Sequence, residues 1–81
     1  MLASLANILA DARAKRYAVP AFDCVEDVMV RCVLETAQAW RSPVVLMCLP
    51  TDLAGNGWTY LPGLVRAVAD HHDVPIALHL D

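Results

Sequence analysis

Residues Val74–Asp81 read VPIALHLD. In an extended chain, successive side chains alternate between faces, so Ile76, Leu78 and Leu80 fall on one side and Ala77, His79 and Asp81 on the other. The first side is bulky and apolar, and suits packing beneath helices. The second is small and then polar, and ends in a carboxylate. A strand loaded on both faces in this way belongs to a parallel sheet covered by helices, because a half-exposed antiparallel strand would alternate apolar with polar.

Two further segments repeat the pattern upstream. VVLMCL, residues 44–49, is a continuous apolar run bounded by Ser42-Pro43 and Pro50, and it reads as a buried strand. YAVPAFD, residues 17–23, is shorter, and Pro20 within it indicates a strand at an edge or a barrel rim. Helical periodicity fills the spaces between. Leu2, Leu5, Ile8, Leu9 and Ala12 form a stripe over residues 2–15. Val28, Met29, Cys32, Val33, Thr36 and Ala37 form another between Glu26 and Trp40, which Ser42-Pro43 ends. A third helix is expected to start with Thr59 as its cap, with Pro62 in the first turn and Leu64, Val65 and Val68 along its face, and to run to about His72. Residues 50–57, with Gly55-Asn56-Gly57, form a loop.

The predicted order is helix, then β-α-β-α-β with parallel strands. Two βα units and a third strand match three-eighths of a (β/α)8 barrel in count, and equally the start of an open doubly wound sheet. Neither GxGxxG nor GxxxxGK[ST] occurs, so a nucleotide fold has no motif in its favour.

Composition narrows the function classes. The 81 residues are 58% hydrophobic and 19% charged, unusually apolar for a chain too short to bury that much surface in itself. The excess is expected of a piece of a larger core, and such a piece is expected to be molten, dimeric or aggregated alone. Charges interrupt every apolar stretch before membrane-spanning length. A net charge of −3 without a basic cluster points away from nucleic acid. Cys24, Cys32 and Cys48 are odd in number and lack CxxC spacing, as expected of reduced thiols packed as small core residues in a cytoplasmic protein.

Asp23, Asp52 and Asp81 stand at or just after the C-terminal ends of the three predicted strands, where barrel enzymes keep their chemistry. Taken singly, a strand-end Asp is ordinarily a helix cap or turn former. Likewise, His79 alone is ordinarily a hydrogen-bonded core histidine, and His71-His72 a solvated helix end. Trp40 and Trp58 read as packing or anchoring residues.

YAVPAFDC, VLETAQAWRSPVVLM and VPIALHLD, in that order, resemble the N-terminal third of the class II ketose-bisphosphate aldolases, the metal-dependent fructose- and tagatose-bisphosphate enzymes. The resemblance covers essentially the whole chain. It is sharpest at the third strand, where the family carries His-x-Asp-His and this chain has His79, Leu80 and Asp81. The fourth position, a zinc-ligand histidine, would be the next residue. The resemblance therefore implies that residues 1–81 are the N-terminal portion of a single (β/α)8 barrel domain, cut after the third strand. The parent would be a cytoplasmic, homo-oligomeric aldehyde-lyase of carbohydrate metabolism. It would cleave a ketose bisphosphate to dihydroxyacetone phosphate and an aldehyde, with zinc as a Lewis acid. Asp81 matches the residue that exchanges a proton with the C4 hydroxyl, and Asp23 a substrate-contacting position. All zinc ligands would lie outside this chain, which alone would be inactive. Two departures concern substrate. Fructose-specific members commonly carry Asn where Asp23 stands, and Ser or Thr near Leu49. The competing readings are another phosphosugar barrel, an epimerase or isomerase, and a non-catalytic truncated protein that acts through interaction.

Overall fold

The computed structural model describes all 81 residues. Helix α1 (Leu5–Lys15) precedes β1 (Ala21–Asp23), α2 (Asp27–Ala39), β2 (Val44–Cys48), a 3-10 turn at Pro50–Leu53, α3 (Gly57–Ala69) and β3 (Ile76–Leu80). The strands form one sheet in the order β1-β2-β3, and both pairs are parallel. The expected α/β architecture is present: a leading helix, then β-α-β-α-β, as in the N-terminal part of a (β/α)8 barrel.

The sheet divides the core by strand parity. Val44, Leu46 and Cys48 of β2 and Ile76 of β3 pack with Val30, Leu34 and Ala37 of α2 and with Leu61, Val65 and Ala69 of α3. Both connecting helices therefore cover the same face. Val45 and Ala77 turn the other way, and α1 covers them through Ile8, with Leu5 and Met47 alongside. Helix α1 reaches only this lower part of the second face. No polar or charged side chain is buried anywhere in the chain, so its cohesion is apolar burial.

Local chemistry sets the helix ends. Ser4 starts α1, its hydroxyl accepting from the Asn7 N–H at 3.1 Å. The helix thus begins three residues later than its apolar stripe suggests, because Leu2 is used elsewhere. Leu2 forms a parallel bridge with Ile76: Ile76 N–H donates to the Met1 carbonyl at 2.8 Å, and Ala3 N–H to the Ile76 carbonyl at 2.9 Å. Glu26 caps α2 by accepting from the Met29 N–H at 2.8 Å. Glu26→Ala is expected to lower stability by about 1 kcal/mol, read as a shift in a urea unfolding curve. An unchanged midpoint would remove the cap from the account.

Helix α3 differs from its sequence reading. It begins at Gly57, so Thr59 lies inside it and its hydroxyl donates to the Asn56 carbonyl at 2.6 Å rather than capping. Pro62 then falls inside the helix, beyond the first turn, and leaves the Trp58 carbonyl without its helical N–H donor. The early start depends on close packing. A Cβ at position 57 would overlap the backbone carbonyl of Asp52, so only glycine fits there. Gly57→Ala is expected to displace the 50–57 loop and destabilise the chain by more than the ordinary few tenths of a kcal/mol of a surface substitution. Amide shifts spreading from residue 57 to residue 52 would show it, and shifts confined to residue 57 would contradict it.

Candidate functional site

The register decides which strand-end groups meet. Asp23 of β1 pairs with Met47 of β2, which pairs with His79 of β3. Paired residues in neighbouring strands point the same way, so Asp23, Met47 and His79 form one row across the face opposite α2 and α3. The ladder runs one step past β3, where the Asp81 N–H donates to the Cys48 carbonyl at 3.0 Å. That bond sets Asp81 beside Leu49, on the same face and one row further toward the strand C-termini. Asp23 and Asp81 therefore share one end, as expected from the sequence, and the register also places them on one face.

Both carboxylates are exposed, and neither bonds to any side chain or backbone group of the chain. Asp23 caps no helix here, since α2 takes Glu26 as its cap. His79 is half-buried in the row below.

Asp52 does not join them. Its carboxylate accepts from the Leu49 N–H at 2.9 Å and so closes the 3-10 turn. This corrects the expectation of three gathered carboxylates, since the third is consumed by its own loop. The bond still matters to the site. The Leu49 N–H and the Cys48 carbonyl belong to the same peptide group. That group donates to Asp52 on one side and accepts from Asp81 on the other, so Asp52 steadies the peptide that anchors Asp81. Composition and spacing gave no sign of this role, because it depends on the loop's backbone path. Asp52→Ala is expected to cost about 1.5–3 kcal/mol, the range for a hydrogen bond to a charged group. A chemical-denaturation series against Asp52→Asn, which keeps an acceptor, checks it, and equal loss in both would contradict the hydrogen-bond account.

The other face at this end carries thiols. Cys24 N–H donates to the Met47 carbonyl at 3.1 Å, which places Cys24 opposite Cys48. Both are buried in the helix-side core. Burial pushes both thiols above the ordinary range. The neighbouring Cys48 and then Asp23 add to this for Cys24, and Asp52 and then Asp23 for Cys48. Cys32 is exposed on α2. This differs from its expected core role, because the buried side of α2 runs through Val30, Leu34 and Ala37.

The residues present do not fit a zinc ion. No three His, Cys, Asp or Glu side chains converge anywhere in the chain, and His79 lies one row below Asp81. No helix is long and apolar enough to cross a membrane.

A parallel three-stranded sheet in the order β1-β2-β3, with both connecting helices on one face, is the α/β arrangement of the N-terminal part of a (β/α)8 barrel. Comparison with known families gives the particular one. The family model for class II fructose-bisphosphate aldolase matches residues 3–81, and the chain belongs to that family.

Proposed function

We propose that these residues are the N-terminal portion of a single class II aldolase barrel, whose complete form reversibly cleaves a ketose bisphosphate to dihydroxyacetone phosphate and an aldehyde. The observation that carries the reading is the state of Asp81 within a chain matched almost end to end by the aldolase family. It stands at the C-terminal end of a parallel strand, on the face away from α2 and α3, with its N–H bonded to the Cys48 carbonyl.

The chemistry assigned to Asp81 is proton exchange. In cleavage it takes the proton of the C4 hydroxyl as the C3–C4 bond breaks and the C4 oxygen becomes the aldehyde carbonyl. The electron pair of the broken bond remains on the dihydroxyacetone phosphate half as an enediolate. In the condensation direction Asp81 returns the proton. Asp23, one row lower and two strands away, is placed to meet the same substrate, and its charge acts on which hydroxyl groups are accepted. The face between them is apolar at Met47 and Leu49 and offers no hydroxyl.

Zinc belongs to this reading through the family, and its ligands lie outside these 81 residues. The chain alone is accordingly expected to retain no zinc after dialysis. A stoichiometric bound ion by atomic absorption would contradict that assignment. In the same reading the complete enzyme is a cytoplasmic homo-oligomer acting on a phosphorylated ketose.

Release of triose phosphate from fructose and tagatose bisphosphates tests the proposal in the complete enzyme. Asp23→Asn is expected to change the ratio of kcat/KM between the two sugars. An unchanged ratio would remove Asp23 from the substrate site, and failure to cleave any ketose bisphosphate would overturn the function itself.

A further inference from the structure

Strand β2 outruns β1 at the C-terminal end of the sheet, and Asp52 replaces the missing partner. On the edge of β2 that faces β1, the Val45 N–H donates to the Pro20 carbonyl at 3.0 Å, and the Met47 carbonyl accepts from the Cys24 N–H at 3.1 Å. The parallel alternation would next take the Leu49 N–H to the Cys24 carbonyl. Strand β1 ends at Asp23, and the Asp52 carboxylate accepts from the Leu49 N–H instead, at 2.9 Å. The Asp52 N–H donates in turn to the Leu49 carbonyl at 3.0 Å, so one residue holds both peptide groups of Leu49. Pro50 follows and has no N–H to offer.

The first of those peptide groups joins Cys48 to Leu49, and its carbonyl accepts from the Asp81 N–H. A charged acceptor on the N–H side polarises the peptide and makes its carbonyl the stronger acceptor. Asp52 has little freedom of its own. Its backbone carbonyl lies where a Cβ on residue 57 would overlap it, against the first turn of α3. A continuous path of close contacts and hydrogen bonds therefore runs from the start of α3, through Asp52 and the 48–49 peptide, to the backbone of Asp81.

We propose that Asp52 is a positioning residue for the proton transfer of Asp81. The inference rests on the aldolase reading above and adds to it a residue that does not touch the substrate. Asp52 exchanges no proton. Its carboxylate is directed at the Leu49 N–H, and its contribution is to fix where Asp81 stands relative to the C4 hydroxyl. A displacement of about 1 Å at a reacting group can cost about 10²-fold in rate. A side chain two hydrogen bonds away from Asp81 can therefore carry a measurable share of the rate.

The test is a double-mutant cycle in the complete enzyme, read as kcat and KM for a ketose bisphosphate per folded protein. Asp52→Ala is expected to lower kcat by about 10–100-fold and to leave KM within about twofold. Asp52→Asn keeps a side-chain oxygen for the Leu49 N–H and is expected to recover most of the loss. In an Asp81→Ala background, the same Asp52→Ala change is expected to cost less than about twofold, because the group it positions is gone. A purely structural loss falls equally in both backgrounds, and equal losses would overturn the proposal. So would a rise in KM at constant kcat, which would make Asp52 a substrate contact. Gly57→Ala approaches the same path from α3 and leaves the carboxylate in place, so the cycle can be read even if alanine at position 52 prevents folding. It is expected to lower kcat beside Asp81 and not beside Asp81→Ala, and equal effects in both backgrounds would again overturn the proposal. A complete enzyme that cleaves no ketose bisphosphate would overturn the aldolase reading and this inference with it. An active enzyme with equal losses in the two backgrounds would overturn this inference alone.

Discussion

Asp81→Ala, placed in the complete barrel that the proposal assigns to this chain, is expected to lower turnover of a ketose bisphosphate by about 10²–10⁴-fold, the usual contribution of a positioned acid or base. The effect should fall on kcat more than on KM, because Asp81 makes its proton transfer in the transition state and is not proposed as a principal binding contact. The bond that the strand makes to this residue is kept in the variant, because it runs from the backbone N–H of Asp81 to the Cys48 carbonyl. Bound metal, measured by atomic absorption, should be retained, since the ligands of the proposed zinc site lie elsewhere. His79→Ala should separate from it. With its ring half-buried beside Met47, His79 is expected to affect stability or metal affinity more than the chemical step. Near-normal turnover in Asp81→Ala would end the acid–base assignment. So would loss of the metal, coupled with observation of Asp81 coordinating it in the substrate-free enzyme.

The second large effect concerns the 81-residue chain by itself, which is expected to self-associate. The molecule is a slab of 40 × 22 × 16 Å with helices on one face and only α1 on part of the other. The outer edge of β1 has no neighbouring strand, and β3 is covered at its start alone, by the Leu2 bridge. Beside these edges Phe22, Trp40, Trp58 and Leu80 are 45%, 80%, 61% and 48% exposed. An apolar groove of about 390 Å³, lined by Pro20, Phe22, Val33, Ala37, Trp40 and Val44, runs along the β1 edge. Open parallel edges flanked by apolar side chains pair with whatever strand or surface they meet. Light scattering after size exclusion is expected to show dimers or larger species that bind a hydrophobic dye. A monodisperse monomer that binds no dye and unfolds cooperatively would contradict this expectation. Trp40→Lys and Phe22→Lys together should reduce the associated fraction if the β1 edge is the contact. An unchanged distribution would move the contact to β3.

The parts of the fold that were legible in the sequence depend on local alternation. VPIALHLD and VVLMCL are long and apolar enough that only buried strands suit them, and the parity of Ala77, His79 and Asp81 is the parity observed. Pro20 pointed to an edge or barrel-rim strand, and it stands immediately before β1, the outer strand of the sheet. What was not legible depends on distant partners. Leu2 completes the stripe of α1 in sequence, yet it pairs with Ile76 near the other end of the chain. The start of α3 was misplaced because Thr59 has the chemistry of a cap, while the actual start depends on Gly57 fitting against the Asp52 carbonyl. The same loop conceals the role of Asp52, whose carboxylate turns back to Leu49. At the site, the sequence placed Asp23 and Asp81 at one end, whereas their separation by one row and the Asp23–Met47–His79 alignment required the register. Registers are set by packing across the sheet, and no single strand records them.

In the proposed reading these residues begin a longer catalytic barrel. Sequencing the coding DNA immediately beyond the Asp81 codon tests it most directly. The account predicts a histidine codon next, completing His-x-Asp-His, within an open frame long enough for the remaining strands and helices of a (β/α)8 barrel. A stop codon there, with no barrel-length frame beyond it in any register, would contradict the account and leave a non-catalytic chain that acts through its exposed edges.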